Sequence, residues 1–189
     1  MMDCYMEGTK QISTITIGIA VVAIIYAKPL FEIWIDKPSN ELVYIFRLQV
    51  FGLTLSGIMW LTAALQQATG FVKMHLMLMA ASIIVGILFT YFSVKIFGIC
   101  GYTLTAISHG VIEITFGLIL LDKEKYKIPL KLWYAKNLFK PIIYSVVISV
   151  PLYYIYEIYN TKTIGLTLAI SSFFVYALLS LEKKPLYEK

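Results

Sequence analysis

Short clusters of charge alternate along the chain with apolar stretches of 17 to 26 residues. Six of these are long enough to cross a hydrocarbon core about 30 Å thick. They run from Gln11 to Ala27, Leu48 to Val72, Met74 to Val94, Ile96 to Leu121, Pro141 to Thr161 and Thr163 to Leu181. The pattern predicts an all-α integral membrane protein, a six-transmembrane-helix bundle forming a single domain over residues 1–189. Single lysines, Lys73 and Lys95, separate spans two, three and four, which makes those spans antiparallel neighbours. The stretch KPLFEIWIDKPSNE, residues 28–41, mixes two prolines and acidic residues with Phe31 and Trp34. It predicts a turn outside the membrane with aromatic anchors at headgroup depth. The connection Asp122 to Pro141 interleaves six lysines with Tyr126, Trp133, Tyr134 and Phe139. It reads either as a segment lying on the membrane with its aromatics in the interface, or as a solvated loop whose lysines set orientation.

Plotted at about 100° per residue, the fourth span divides into two faces. Gly98, Gly101, Tyr102, Thr105, Ser108, His109 and Glu113 share one side, while Leu104, Ile107, Val111 and Ile114 take the other. Span two carries a matching stripe of Gln49, Gly52, Ser56, Trp60, Ala63, Ala64, Gln67 and Gly70, with Gln66 pointing away from it. A polar group facing lipid goes unsatisfied, so both stripes are expected to face other helices or a water-filled space. Ser82, Gly86 and Thr90 in span three, and Gly165 and Ala169 in span six, read as small-residue packing seams.

Composition agrees with the pattern. Of 189 residues 59% are hydrophobic and 14% charged, and the mean hydropathy is +0.79, which excludes an ordinary soluble domain. Asp3 and Glu7 spoil the basic start of a secretory signal, so the first span is expected to be retained. Six spans place both termini on one side. That side holds 11 of the 16 basic residues, which predicts that both termini are cytoplasmic. The net charge of +5 is then a matter of topology and contact with membrane lipid, and nucleic acid is not an expected partner. Cys4 and Cys100 fall on opposite sides of the bilayer and have no metal or redox spacing.

The chemistry concentrates at His109 and Glu113, four residues apart near the middle of a span. An ionised group at that depth costs about 2.5–3.5 kcal/mol on insertion scales. One reading is that the pair bridges internally or to a neighbouring helix and has a purely structural role; the other is that it lies on a solute or ion pathway. On the second reading the pathway comprises His109, Glu113, Thr105, Ser108, Gln49, Ser56 and Gln67. Arg47 stands at the outer end, where it would attract an anionic solute or anchor the helix. The only other histidine, His75, lies at the end of span three, too far along the chain pattern to complete a zinc site. With no nucleophile and base arrangement and no Gly-rich phosphate loop, the chain reads as a non-enzyme with no catalytic residue, cofactor or metal. Met74, Met77 and Met79 read as lipid-facing or filler.

Residues Pro29 to Glu113 resemble the C-terminal half of Wzx-like polysaccharide and O-antigen flippases, a branch of the multidrug/oligosaccharidyl-lipid/polysaccharide exporter superfamily. The resemblance is carried by PLFEIWIDKPSNE, by LTAALQQATGFVKMHLMLMAAS with its Gly-x-x-Lys boundary, and by IFGICGYTLTAIS with Gly98, Gly101, Thr105 and Ser108. Tyr102 and Asp36 depart from the family pattern. The resemblance implies half of a two-lobed carrier, similar to the last six helices of a 14-span member. It also implies a lipid-linked oligosaccharide as substrate, and an N-terminal partner lobe or a second copy as partner. Two other readings are a non-transporting or vestigial bundle and part of a cation-coupled drug exporter.

Overall fold

The first, fourth and fifth helices of the chain end where the backbone ladder loses a donor or where a glycine turns left-handed. The structure is a computed structural model that describes residues 2–35, 37–70, 72–121, 130–159 and 162–180. Among the described residues all regular structure is helical. Helix α1 (Met2–Ile25) gives way to α2 (Ala27–Trp34) at Tyr26, because Pro29 has no N–H to offer the Ile25 carbonyl. Ser39 caps α3 (Asn40–Ile58), its hydroxyl accepting from the Leu42 N–H at 3.2 Å. After a break at Met59, α4 (Trp60–Ala68) continues in the same direction, and α5 (Val72–Phe97) and α6 (Ile99–Leu121) follow. Beyond them come α7 (Leu130–Tyr134), a π-helical turn (Ala135–Phe139), α8 (Lys140–Tyr159) and α9 (Lys162–Ser180).

Four segments are long and apolar enough to cross a membrane: Cys4–Ile25, Asn40–Ala68, His75–Phe97 and Ala135–Ile158. A shorter apolar run, Ile164–Leu178, lies within α9. α6 has the length of a span and carries His109 and Glu113 within it.

Several expectations need correction. Lys73 and Lys95 are not the connections between spans: each lies within α5, and the reversals fall near Gly70 and at Gly98, whose φ values are +85° and +61°. That left-handed conformation is cheap only without a side chain. Gly98 therefore belongs to a turn and not to the polar face of α6. Residues 28–34 are helical instead of a turn; a proline is tolerated in a first helical turn, and Pro29 is buried against Gly165 of α9. Of the basic connection, residues 122–129 lie outside the described residues. In the rest, Trp133 and Asn137 are fully buried, because the π-helical turn folds onto α1 and α8, while Lys131, Lys136, Phe139 and Lys140 are exposed.

The helices run up and down. α5, α6, α3 and α1 stand side by side in that order, and α8 and α9 pack on α1 and on each other. The starts of α1, α5 and α8 and the ends of α4 and α6 gather at one end of the bundle, called here the near end. The core joins α1, α3, α6 and α7 through Tyr5, Ile17, Leu55, Ile58, Met59, Ile114, Leu118 and Trp133. The Tyr5 hydroxyl bonds Thr62 of α4 at 2.8 Å, so the first helix, the fourth and the buried indole meet at one point. On the outer side of α5, Ile83, Ile84, Ile87, Leu88 and Phe92 are exposed, an apolar surface suited to hydrocarbon.

Candidate functional site

α3 and α6 approach unusually closely, and this brings the two polar stripes together. A Cβ at Gly52 would sit 2.6 Å from the Ala106 Cβ, and one at Gly110 would sit 2.5 Å from the Leu55 Cβ. Only glycine permits that spacing, in the manner of small-residue seams between membrane helices. On the opposite flank of α6, Ser82, Gly86 and Thr90 of α5 form the second seam. Ser82 Oγ lies 3.2 Å from His109 Nε2, and Thr90 Oγ1 lies 2.5 Å from Thr105 Oγ1.

Toward the near end α4 diverges, and a cavity of about 530 Å³ opens between α3, α4, α5 and α6. Its polar lining comprises Ser56, Thr62, Gln66, Gln67, His75, His109 and Glu113, set among Met59, Trp60, Leu78 and Met79. His109 Nδ1 stands 3.5 Å from Glu113 Oε1, and the Ser56 hydroxyl and His75 face the same carboxylate. The His109 ring is held from both sides, by Ser82 through one nitrogen and by Glu113 beside the other. Gln66 ties the floor together: its Oε1 lies 2.9 Å from His75 Nδ1 on α5, and its Nε2 donates to the Gly117 carbonyl on α6 at 3.4 Å. Trp60 is 78% exposed and therefore sits at the rim.

The expected pathway residues separate into two groups. His109, Glu113, Ser56 and Gln67 line this one cavity. The others do not. Thr105 is spent on the α5–α6 contact with Thr90, and Ser108 donates to the Thr105 carbonyl at 2.8 Å. Gln49 lies farther along α3, outside the lining. Arg47 Nε donates to the Ile24 carbonyl at 2.9 Å, one of the last four carbonyls of α1, so it caps that helix. Met79 lines the cavity, while Met77 is exposed.

Sequence reasoning placed Gln66 off the stripe, yet it is 2% exposed and central to the cavity floor. The reason is the break at Met59, whose N–H bonds back to the Ser56 carbonyl three residues earlier. A turn tighter than 3.6 residues advances the phase of everything after it, rotating Gln66 inward. His75 was likewise missed, because helix periodicity within α5 says nothing about what α4 lays across it. Among the described residues, no three His, Cys, Asp or Glu side chains come close enough to share a metal ion. Among the described residues, no lysine or arginine lines the cavity.

No family model, curated protein or solved structure matches this chain.

Proposed function

We propose that the chain is one lobe of a membrane carrier that moves a lipid-linked oligosaccharide across a bacterial cytoplasmic membrane, working with a partner lobe or a second copy. α6 and α9 then join the four longer segments as spans, and the excess of basic residues places both termini in the cytoplasm. The observation that carries the reading is the cavity at the near end. Residues from both polar stripes meet there, at the boundary of four helices, in a chain that exposes many large apolar side chains. A hydrophilic headgroup cannot pass about 30 Å of hydrocarbon without such a lining. Hydroxyl, amide and imidazole groups offer a sugar both donors and acceptors, and Trp60 at the rim offers an apolar ring face. Alternating access would come from rocking of this wall against a second one.

The test is genetic and chemical together. Deleting the chain should lower surface polysaccharide, and His109→Ala and Glu113→Gln should lower it while leaving the protein's abundance unchanged. Unchanged export in all three strains would remove the carrier reading and leave a non-transporting bundle.

A second reading, a cation-coupled drug exporter, is favoured by one feature. Among the described residues, the cavity lining holds a carboxylate and two imidazoles but no permanent cation to grip a pyrophosphate. Efflux of cationic drugs that depends on a sodium or proton gradient and is lost in Glu113→Gln would select it.

A further inference from the structure

Charge as well as shape restricts what can enter the cavity between α3, α4, α5 and α6. Among the described residues its lining carries one carboxylate, Glu113, and two imidazoles, His75 and His109, with neither lysine nor arginine. The side chains of His109 and Glu113 are 30% and 19% exposed, so both reach the chamber instead of being sealed behind it. Gln66 is engaged with His75 and with the Gly117 carbonyl, and Thr62 with Tyr5, which leaves Ser56, Gln67 and the carboxylate to meet a ligand. Hydroxyl and amide groups bond a sugar hydroxyl in either sense, and a carboxylate accepts from one. Trp60, exposed at the rim, adds a flat apolar face that suits the C–H side of a sugar ring. A phosphate finds no cation among these residues, so the phosphate of a lipid-linked unit stays outside the chamber.

Size turns the carboxylate into a filter. A chamber of about 530 Å³, an ordinary size for a small-molecule site, is about 10 Å across when taken as round. At an effective dielectric of about 20, an ionised Glu113 and a second negative charge about 10 Å away repel by the equivalent of about ten-fold in affinity, and by more when closer. His109 and His75, the titratable groups facing the carboxylate, offset that repulsion only when protonated. An uncharged sugar meets no such penalty. Repulsion of the wrong ligand is a route to specificity that needs no extra contact with the right one.

We infer, resting on the carrier reading above, that the cavity receives an uncharged sugar unit and rejects one bearing a carboxylate, with Glu113 setting the choice and Trp60 providing the stacking surface.

The experiment measures binding of methyl glucoside and methyl glucuronide to the full chain in nanodiscs of uncharged lipid, by ligand-observed NMR against empty nanodiscs. It is run at about pH 8, where a free imidazole is neutral. Wild type should bind the glucoside about ten-fold more tightly than the glucuronide. In Glu113→Gln the glucuronide should gain about ten-fold while the glucoside stays within about two-fold, and Glu113→Asp should keep the discrimination. Trp60→Ala should weaken both sugars alike, by about two- to ten-fold. Equal affinity of wild type for the two sugars, or discrimination undiminished in Glu113→Gln, would overturn the inference, and the wild-type comparison stands even where a variant fails to fold. Binding of neither sugar would also overturn it, and the carrier reading would survive if deleting the chain still lowered surface polysaccharide. Discrimination that holds while export is indifferent to the chain would support the charge-selective sugar site and remove the carrier reading.

Discussion

Gly52→Ala is a demanding test of the seam on which the cavity depends. The new methyl carbon would fall 2.6 Å from the Ala106 Cβ, 2.7 Å from the Ala106 carbonyl carbon and 2.8 Å from the Ile107 nitrogen. Carbon atoms in contact prefer about 3.5–4.0 Å, so α3 and α6 must part by roughly 1 Å. Two of the three obstacles are backbone atoms, which cannot rotate out of the way. Because backbone atoms block the methyl, overpacking here falls in the upper part of the usual range, about 2–3 kcal/mol. Alanine returns up to about 1 kcal/mol through its better helix propensity. The net destabilisation is therefore about 1–2 kcal/mol, which lowers Tm by about 2–8 °C for a chain of this size. Gly86→Ala is the matched control, since its Cβ would meet only the Thr105 Cγ2 at an ordinary 3.7 Å. Its Tm should be unchanged or raised. Thermal unfolding of both variants in lipid nanodiscs, beside the double variant Gly52→Ala/Ala106→Gly, gives the comparison. The double variant should recover part of the loss and not all of it, because the backbone contacts remain. Wild-type stability in Gly52→Ala, or an equal loss in Gly86→Ala, would refute the close approach of α3 and α6.

Other outcomes follow from single contacts. Arg47→Ala removes the guanidinium from the Ile24 carbonyl and should destabilise by about 1.5–3 kcal/mol, read by the same unfolding assay; no change would leave Arg47 as an orientation signal alone. Gln66→Leu cuts the links from α4 to His75 and Gly117, and hydrogen exchange should quicken around the α4–α5 reversal by a factor corresponding to about 1–3 kcal/mol. Asn137 is fully buried with neither amide atom hydrogen-bonded, so Asn137→Leu should hold or raise Tm, because an apolar side chain of similar shape relieves a desolvation cost of about 1–3 kcal/mol. A clear fall in Tm would show that the amide has a working partner.

The reach of the sequence can be judged from particular residues. Ser56, His109 and Glu113 could be placed on inward faces because they lie within unbroken helix, where 3.6-residue periodicity holds from end to end. Gln66 could not, since the local tightening at Met59 leaves no mark in hydropathy. Lysines were misleading as boundaries, because a long side chain can leave a helix without ending it, whereas Gly70 and Gly98 mark the reversals through backbone conformation. Trp133 was legible as an aromatic among charges, a pattern that also fits a membrane interface. Its burial depends on tertiary contact with α1, which no local window contains. Arg47 likewise reveals its role only when α1 is placed beside it.

The central claim is that the facing polar stripes of α3/α4 and α6 enclose a wet cavity at the near end. Cysteine accessibility tests it most directly, in a background carrying Cys4→Ser and Cys100→Ser. Ser56→Cys and Gln67→Cys, which line the cavity, and Leu88→Cys, on the exposed apolar side of α5, are each treated with a membrane-impermeant maleimide from either side of sealed vesicles. The expected result is labelling at positions 56 and 67 from the side facing the near end, with position 88 silent. Labelling at 88 with 56 and 67 silent would contradict the cavity and the carrier reading together.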